Sequence, residues 1–415
     1  MSQELLRIVE NIARDKNIDK ESIFQDLEAA MASATRKHFG DPDIEVAVNI
    51  DRTTGQISVY KDEAQIDIRQ LGRIPAQTAK QVMIQKIRAD ERDSIFADFV
   101  QRKGEIVNGI AGRYEGGTLI VNLDNRTEGF MPKIEQISGE VNHPGERIRC
   151  LILDVREASS QVKIILSRTH PDFIRRLFEL EVPEVTEGII EIKSLAREAG
   201  YRTKIAVVSH DDKVDAVGAC VGVRGSRIRS IVDELGGEKI DIVRWSDSSQ
   251  VLISNALMPA KASEIALCFE LGRATVVVGE EQLSLAIGKH GQNVRLAARL
   301  TGWDIDILTP EEYNKEVECL SASLKDVEGV DDTFVDKLLA LGIVSVLDLE
   351  EVGTEPLVKE LELDEKLAWK IVAAASEEAR KMASEKIRKQ AEDIMAQEQG
   401  QKECLEDEKE PEGKQ

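Results

Sequence analysis

The sequence predicts a multidomain α+β protein with several small sheets, and three observations carry this. The apolar period changes along the chain: helical spacing before residue 40, strand alternation near residue 50, and helical spacing again after residue 76. Five short strand-like runs between residues 104 and 170 are separated by Gly and Asn, as in a small barrel. Between residues 188 and 308 a mixed helix–strand unit occurs twice, 65 to 66 residues apart. At 415 residues the chain has room for three to four domains.

The first helices are read from Leu5, Ile8, Val9 and Ile12, then Ile23, Leu27, Ala30 and Met31, at spacings of three and four. Asp19 can cap the second, with Ser22 three residues on, and Gly40-Asp41-Pro42 breaks it. Ile44, Val46, Val48 and Ile50 share one face of a strand. Thr53-Thr54-Gly55 turns the chain and Ile57 to Tyr60 resumes the strand pattern. Ala76 to Gln101 reads as a helix, with Ile84, Ile87, Ile95 and Phe99 among its apolar positions. The barrel runs are Glu105–Ile110, Thr118–Leu123, Glu128–Met131, Arg147–Val155 and Gln161–Ser167. Five strands in about 65 residues match an OB-type barrel, a fold that binds single strands by stacking bases on aromatics and steering phosphates with basic groups. Arg113, Tyr114 and Phe130 are the candidates for that face, although Tyr114 and Phe130 could equally cover the barrel core.

The duplicated unit carries the clearest chemistry. Its first copy holds Gly222-Val223-Arg224-Gly225-Ser226-Arg227-Ile228-Arg229 and closes at Ile240-Asp241-Ile242. Its second holds Gly288-Lys289-His290-Gly291-Gln292-Asn293-Val294-Arg295 and closes at Ile305-Asp306-Ile307. Ile228, Ile231, Val232 and Leu235 then mark one face of a helix. Two glycines let a backbone approach a phosphodiester closely, because no Cβ intervenes, and the amides at the next helix start face the phosphates. No acid occurs from Ala216 to Val232 or from Gln282 to Trp303, in a chain of net charge −22. A lone GxxG is usually a turn between helices. Two copies in register, with trailing basic residues and the same closing strand, are the KH pattern, whose loop clamps roughly four nucleotides of single strand.

After Pro310 the chain turns acidic, with 29 acidic against 14 basic residues, a net of −15. Leu324 to Ala375 reads as helical. Val327-Glu328-Gly329-Val330, then Phe334, Val335, Leu338 and Leu339, closed by Leu341-Gly342-Ile343, have helix-hairpin-helix spacing. Asp331 and Asp332 after the turn disfavour phosphate and favour protein docking. Gln397 to Gln415 reads as disordered. Two readings of the acidic end stand side by side: a flexible polyanion that competes partially with RNA for the basic stretches, and a docking module or solvated appendage.

Composition excludes other classes. The chain is 42% hydrophobic and 32% charged, with 55 Lys plus Arg against 77 Asp plus Glu. Its average charge opposes nonspecific duplex binding. No apolar run nears the ~18 residues of a membrane span, and the start, Met1 to Glu10, has no apolar leader segment. Cys150, Cys220, Cys268, Cys319 and Cys404 are scattered, which excludes a zinc ribbon, a CxxC site and a disulfide framework, and fits a reducing cytosol. His38, His143, His170, His210 and His290 have no ligand spacing, and GxxxxGK[ST], HExxH and GxSxG are absent. No catalytic residue, metal or cofactor is expected.

The order of these parts resembles the NusA family of bacterial transcription elongation factors. The matching stretches are residues 178–185 (Phe178 to Val185), Ala219-Cys220-Val221-Gly222-Val223-Arg224-Gly225, residues 237–243 and Gln282-Leu283-Ser284-Leu285-Ala286-Ile287-Gly288-Lys289. Two departures are visible: Ala216 and Gly279 stand where the family usually has proline, which loosens loop geometry and removes no phosphate contact. The resemblance implies an N-terminal RNA polymerase-binding α+β domain (1–102), an S1-type OB barrel (104–170), two tandem type II KH domains (171–248 and 249–309), an acidic helix-hairpin-helix-like docking domain (310–375) and a charged helical to disordered tail (376–415). It implies a cytoplasmic monomer that binds core RNA polymerase and nascent RNA and modulates pausing, intrinsic termination and antitermination. Other elongation or antitermination factors would dock on the acidic domain. A ribosome-associated or RNA-decay adaptor built from the same modules is the alternative.

Overall fold

The computed structural model describes residues 6, 7, 9, 10, 13, 14, 19–39, 45–61, 64–66, 74–124, 127–158, 161–325, 327, 330, 332–361, 363–381 and 384. Leu5, Ile8, Ile12, Gly40-Asp41-Pro42, Ile44, Glu328, Gly329, Asp331, Cys404, the Gln397–Gln415 tail and the side chains of His38 and Ile87 lie outside that description. The chain divides after Leu177 into two bodies.

In the first body, helix α1 (Lys20–Phe39) buries Ile23, Phe24, Leu27 and Ala30 along the face its periodicity predicts. The Asp19 carboxylate accepts the Glu21 amide at its start. Strands β1 (Val46–Ile50), β2 (Ile57–Lys61) and β3 (Ala64–Ile66) form an antiparallel sheet, with Ile50 and Val59 fully buried. The three-residue β3 was not legible, because it is too short to show alternation. Helix α2 (Ile74–Gln101) packs on α1, and Ser22 Oγ reaches Asp90 across them at 3.0 Å.

The barrel then closes from β4 (Ile106–Glu115), β5 (Thr118–Asn122), β6 (Glu128–Met131), β7 (Arg147–Glu157) and β8 (Val162–Ser167), in the order β4-β5-β6-β8-β7. Its interior holds Val107, Leu119, Val121, Met131, Ile148, Cys150, Ile152, Ile164 and Leu166, every other residue of their strands over much of its length. Phe99 of α2 joins this core. Arg168, 2% exposed, ties the barrel's end: its guanidinium pairs with Glu140 at 2.7 and 3.0 Å and donates to the Arg149 carbonyl.

Helix α3 (Pro171–Glu181) spans the division. In the second body the duplication is visible as topology. Helix α4 (Pro183–Thr186) leads to β9 (Ile190–Glu198) and β10 (Arg202–Ser209), which pair antiparallel. Helices α5 (Ala216–Val221) and α6 (Ser226–Glu234) follow, and β11 (Lys239–Arg244) returns parallel to β10. The second copy repeats this with α7 (Ser249–Leu257), β12 (Ala262–Cys268), β13 (Arg273–Val278), α8 (Glu280–Ile287), α9 (Gln292–Thr301) and β14 (Asp304–Leu308). Ala196, Ala206 and Val243 of the first copy share one continuous core with Leu252, Val276, Leu296 and Ile305 of the second. Ser194 Oγ also donates to the Leu300 carbonyl at 2.7 Å.

The acidic segment folds as helices α10 (Pro310–Leu324), α11 (Asp332–Ala340), α12 (Val346–Val352), α13 (Thr354–Glu360) and α14 (residues 365–381). Their core includes Leu320, Phe334, Leu338, Leu349, Leu357 and Ile371, and also Cys268 from β12. Gly342 has φ +79°, and a Cβ there would lie 2.2 Å from the Leu267 carbonyl, so the α11–α12 turn rests on the β12–β13 hairpin through bare backbone. Arg273 fastens the contact, with Nη1 on Asp348 at 2.6 Å and Nη2 on Glu351 at 3.1 Å. The described residues between 310 and 381 are therefore a packed body. As the apolar spacing of Leu324 to Ala375 predicts, these residues build a helical core rather than a flexible tether.

Candidate nucleic-acid interface

The two glycine loops have the same backbone. Gly222 and Gly288 lie at φ/ψ of 75/175° and 72/177°, a region open essentially to glycine alone. Arg224 and His290 are left-handed at 53/24° and 54/31°. Gly225 and Gly291 are left-handed at 76/21° and 71/15° and begin α6 and α9. Neither helix start carries a side-chain cap. The Ser226 and Gln292 amides close back on the Val223 and Lys289 carbonyls, and the positive end of each helix dipole lies behind its loop, which favours an anion there.

The predicted residues separate into two groups. Val223, Arg224, Ser226 and Arg229 are exposed around the first loop, as are Lys289, His290 and Arg295 around the second. Arg224, Arg229, Lys289 and His290 join none of the ion pairs found among the described residues. Arg227 and Asn293 instead face inward. Arg227 pairs with Glu184 at 2.9 Å and donates to the Ala219 carbonyl at 2.7 Å. Asn293, 2% exposed, donates to the carbonyls of Leu257, Leu285 and Ala286. Ala219 and Leu285 occupy equivalent positions in the two copies, so one position in each repeat braces the helix before the loop. Both residues act on the loop from behind. Glu184 is held below the usual carboxylate range first by its own backbone amide and then by Arg227.

Gln292 and Arg295 turn to the first copy. Glu198, at the end of β9, accepts from Gln292 Nε2 at 2.8 Å and lies 3.4 Å from Arg295 Nη1, while Arg295 Nη2 also donates to the His290 carbonyl. Sequence reasoning missed Glu184 and Glu198. Their partners lie tens of residues away and no local signal marks them. Asp215 could have been found: it precedes α5 as an N-cap and accepts the Gly218 amide at 3.0 Å. Burial pushes the Cys220 thiol, at the end of α5, up to about 11, so no thiolate stands beside the loop.

On the barrel, Arg113 is exposed but pairs with Glu115 at 2.5 Å and Glu128 at 3.3 Å, which offset its charge. Tyr114 is 46% exposed on β4. Phe130 is half-buried on β6, opposite Ile120 and Ile165, while its neighbours Gly129 and Met131 point inward. Among the described residues no group of His, Cys, Asp or Glu could hold a metal, and no helix is long and apolar enough to cross a membrane.

Two β–β–α–α–β modules, each with a GxxG loop ahead of an uncapped helix, define a tandem KH protein. Comparisons with known proteins agree. The matching families are the NusA-like first KH domain over residues 168–245, the NusA-like second KH domain over 249–315, and the NusA N-terminal domain over 4–64 and 61–93. The chain is 41% identical to the transcription termination/antitermination protein NusA of Bacillus subtilis, covering 77% of this chain and 95% of that one. It is 36% identical to that of Rickettsia conorii, over 94% of this chain and 85% of that one, and 42% identical to that of Mycobacterium bovis, over 71% and 89%. The chain belongs to the NusA family.

Proposed function

We propose that the chain is an RNA-binding transcription elongation factor that modulates pausing, intrinsic termination and antitermination. In this reading the N-terminal α+β domain (1–102) holds core RNA polymerase, and the barrel (104–170) and the paired KH domains (171–248 and 249–309) take the nascent single strand. The helical body (310–375) offers a docking surface to other elongation or antitermination factors. The protein works in the cytoplasm, as a monomer, without catalysis. The observation that carries this is the pair of GxxG loops, alike in the backbone angles of both glycines and of Arg224 and His290, and joined by one core. Gly222, Arg224, Gly225, Ser226 and Arg229, with Gly288, Lys289, His290 and Gly291, would meet the phosphates. Arg227 and Asn293 would hold the loops in shape.

Pull-down with purified RNA polymerase core and with ribosomal subunits tests the partner. Retention of polymerase alone supports the reading, and retention of ribosomal subunits alone replaces it with an adaptor role.

A further inference from the structure

We propose that Tyr201, in the β9–β10 turn of the first KH module, is a base-stacking platform for the strand held by the GxxG loop of the second. This rests on the reading that the loops bind single-stranded RNA. The turn sits beside that loop. Glu198, on which the turn begins, reaches Gln292 and Arg295, one and four residues past Gly291. The Tyr201 amide closes the turn on the Glu198 carbonyl at 3.0 Å, so the tyrosine Cα lies within about 7 Å of Glu198 Cα.

The turn is also held with unusual firmness. The Glu238 carboxylate is fully buried and accepts from Arg197 at 3.0 and 2.9 Å, from the Gly200 amide at 2.8 Å and from Thr203 Oγ1. A buried ion pair therefore fixes a surface turn whose tip is an aromatic side chain left 63% exposed. The Tyr201 carbonyl accepts the Lys239 amide at 3.1 Å, which places an exposed lysine, in none of the ion pairs among the described residues, at the same spot. Glu198 does not oppose a phosphate there, because Arg295 and Gln292 engage it.

An exposed aromatic on a braced turn, with a cation adjacent and a phosphate-type loop alongside, is the arrangement single-strand binders use to hold a base by its face. Tyr201 would take a nucleotide next to those clamped by Gly288-Lys289-His290-Gly291, and stacking needs the ring and not its hydroxyl.

The test measures binding of a labelled single-stranded RNA of about twelve nucleotides to the full chain and to Tyr201→Ala, Tyr201→Phe and Gly291→Asp. The expected result is a loss of about ten-fold for Tyr201→Ala, the size of one base–aromatic stack, and less than two-fold for Tyr201→Phe. All melting temperatures should be near that of the parent. In the same RNA, 2-aminopurine scanned along the strand should be quenched at one position by the parent and not by Tyr201→Ala. If Tyr201→Ala binds like the parent while Gly291→Asp fails, the platform is wrong and the loop reading stands. If both bind like the parent, both are wrong.

Discussion

Placing a carboxylate on the second glycine of each loop, Gly225→Asp and Gly291→Asp, is expected to remove RNA binding from a folded protein. The structure separates these glycines from the first ones. Gly222 and Gly288 combine positive φ with extended ψ, and a Cβ on them would meet Arg227 Cγ and Asn293 Cβ at 2.8 Å, so replacement there damages the loop itself. At Gly225 and Gly291 the nearest atoms to a Cβ are 3.7 and 3.9 Å away. The cost is the left-handed backbone alone, about 1 kcal/mol for a residue such as Asp that visits it. On the binding side, a carboxylate at the mouth of an uncapped helix displaces at least one charge-assisted hydrogen bond to phosphate, worth about 2–3 kcal/mol. Each loop variant should bind roughly 30- to 150-fold more weakly. Fluorescence anisotropy with a short single-stranded RNA reads the affinity, and circular dichroism melts read the fold. Wild-type affinity in both folded variants would refute the argument and leave the loops as structural turns.

If roughly four phosphates are contacted, log K should fall with log salt at a slope of about −3, from ~0.7 per phosphate on a single strand; a flat titration would remove the electrostatic account. Gly279→Pro should stabilise by about 0.4–1 kcal/mol in thermal melts, because Gly279 already has φ −60° and nothing lies within 4 Å of its Cβ; a lower melting temperature would count against the geometry at the start of α8. Arg273→Met should cost about 2 kcal/mol by leaving the carboxylate of Asp348, 5% exposed, without its cation. Hydrogen exchange should then quicken in α12 before it does in α9, and uniform exchange would mean that Arg273 is not the fastening.

Much of this fold could be read from residues alone. Four of the five barrel strands lie within two residues of the runs that predicted them, because alternation and Gly/Asn punctuation are local signals, while β4 continues five residues past Ile110, through Gly112 to Glu115. The repeat was legible as well, since one spacing relates Gly222 to Gly288 and nearly the same spacing relates Asp241 to Asp306. The candidate site was legible in its glycines and exposed bases and illegible in its braces. Arg227 looked like a phosphate ligand, yet its partners are Glu184 and the Ala219 carbonyl. Asn293 has the same inward role with an uncharged amide. A sequence shows that a residue is basic or polar; which way its side chain turns depends on contacts made only after the chain folds. In the acidic segment the helices were legible in the apolar spacing of Leu324 to Ala375, while their seat against Cys268 and the Leu267 carbonyl was not, because those contacts are long-range.

The central claim is that the paired loops hold nascent RNA while another part of the chain holds polymerase. Pause lifetime in reconstituted transcription on one pausing template, with the parent protein and with the Gly225→Asp/Gly291→Asp double variant, tests it most directly. The account predicts that the parent lengthens the pause and that the double variant, still retained on polymerase core, does not. Equal lengthening by both would contradict it.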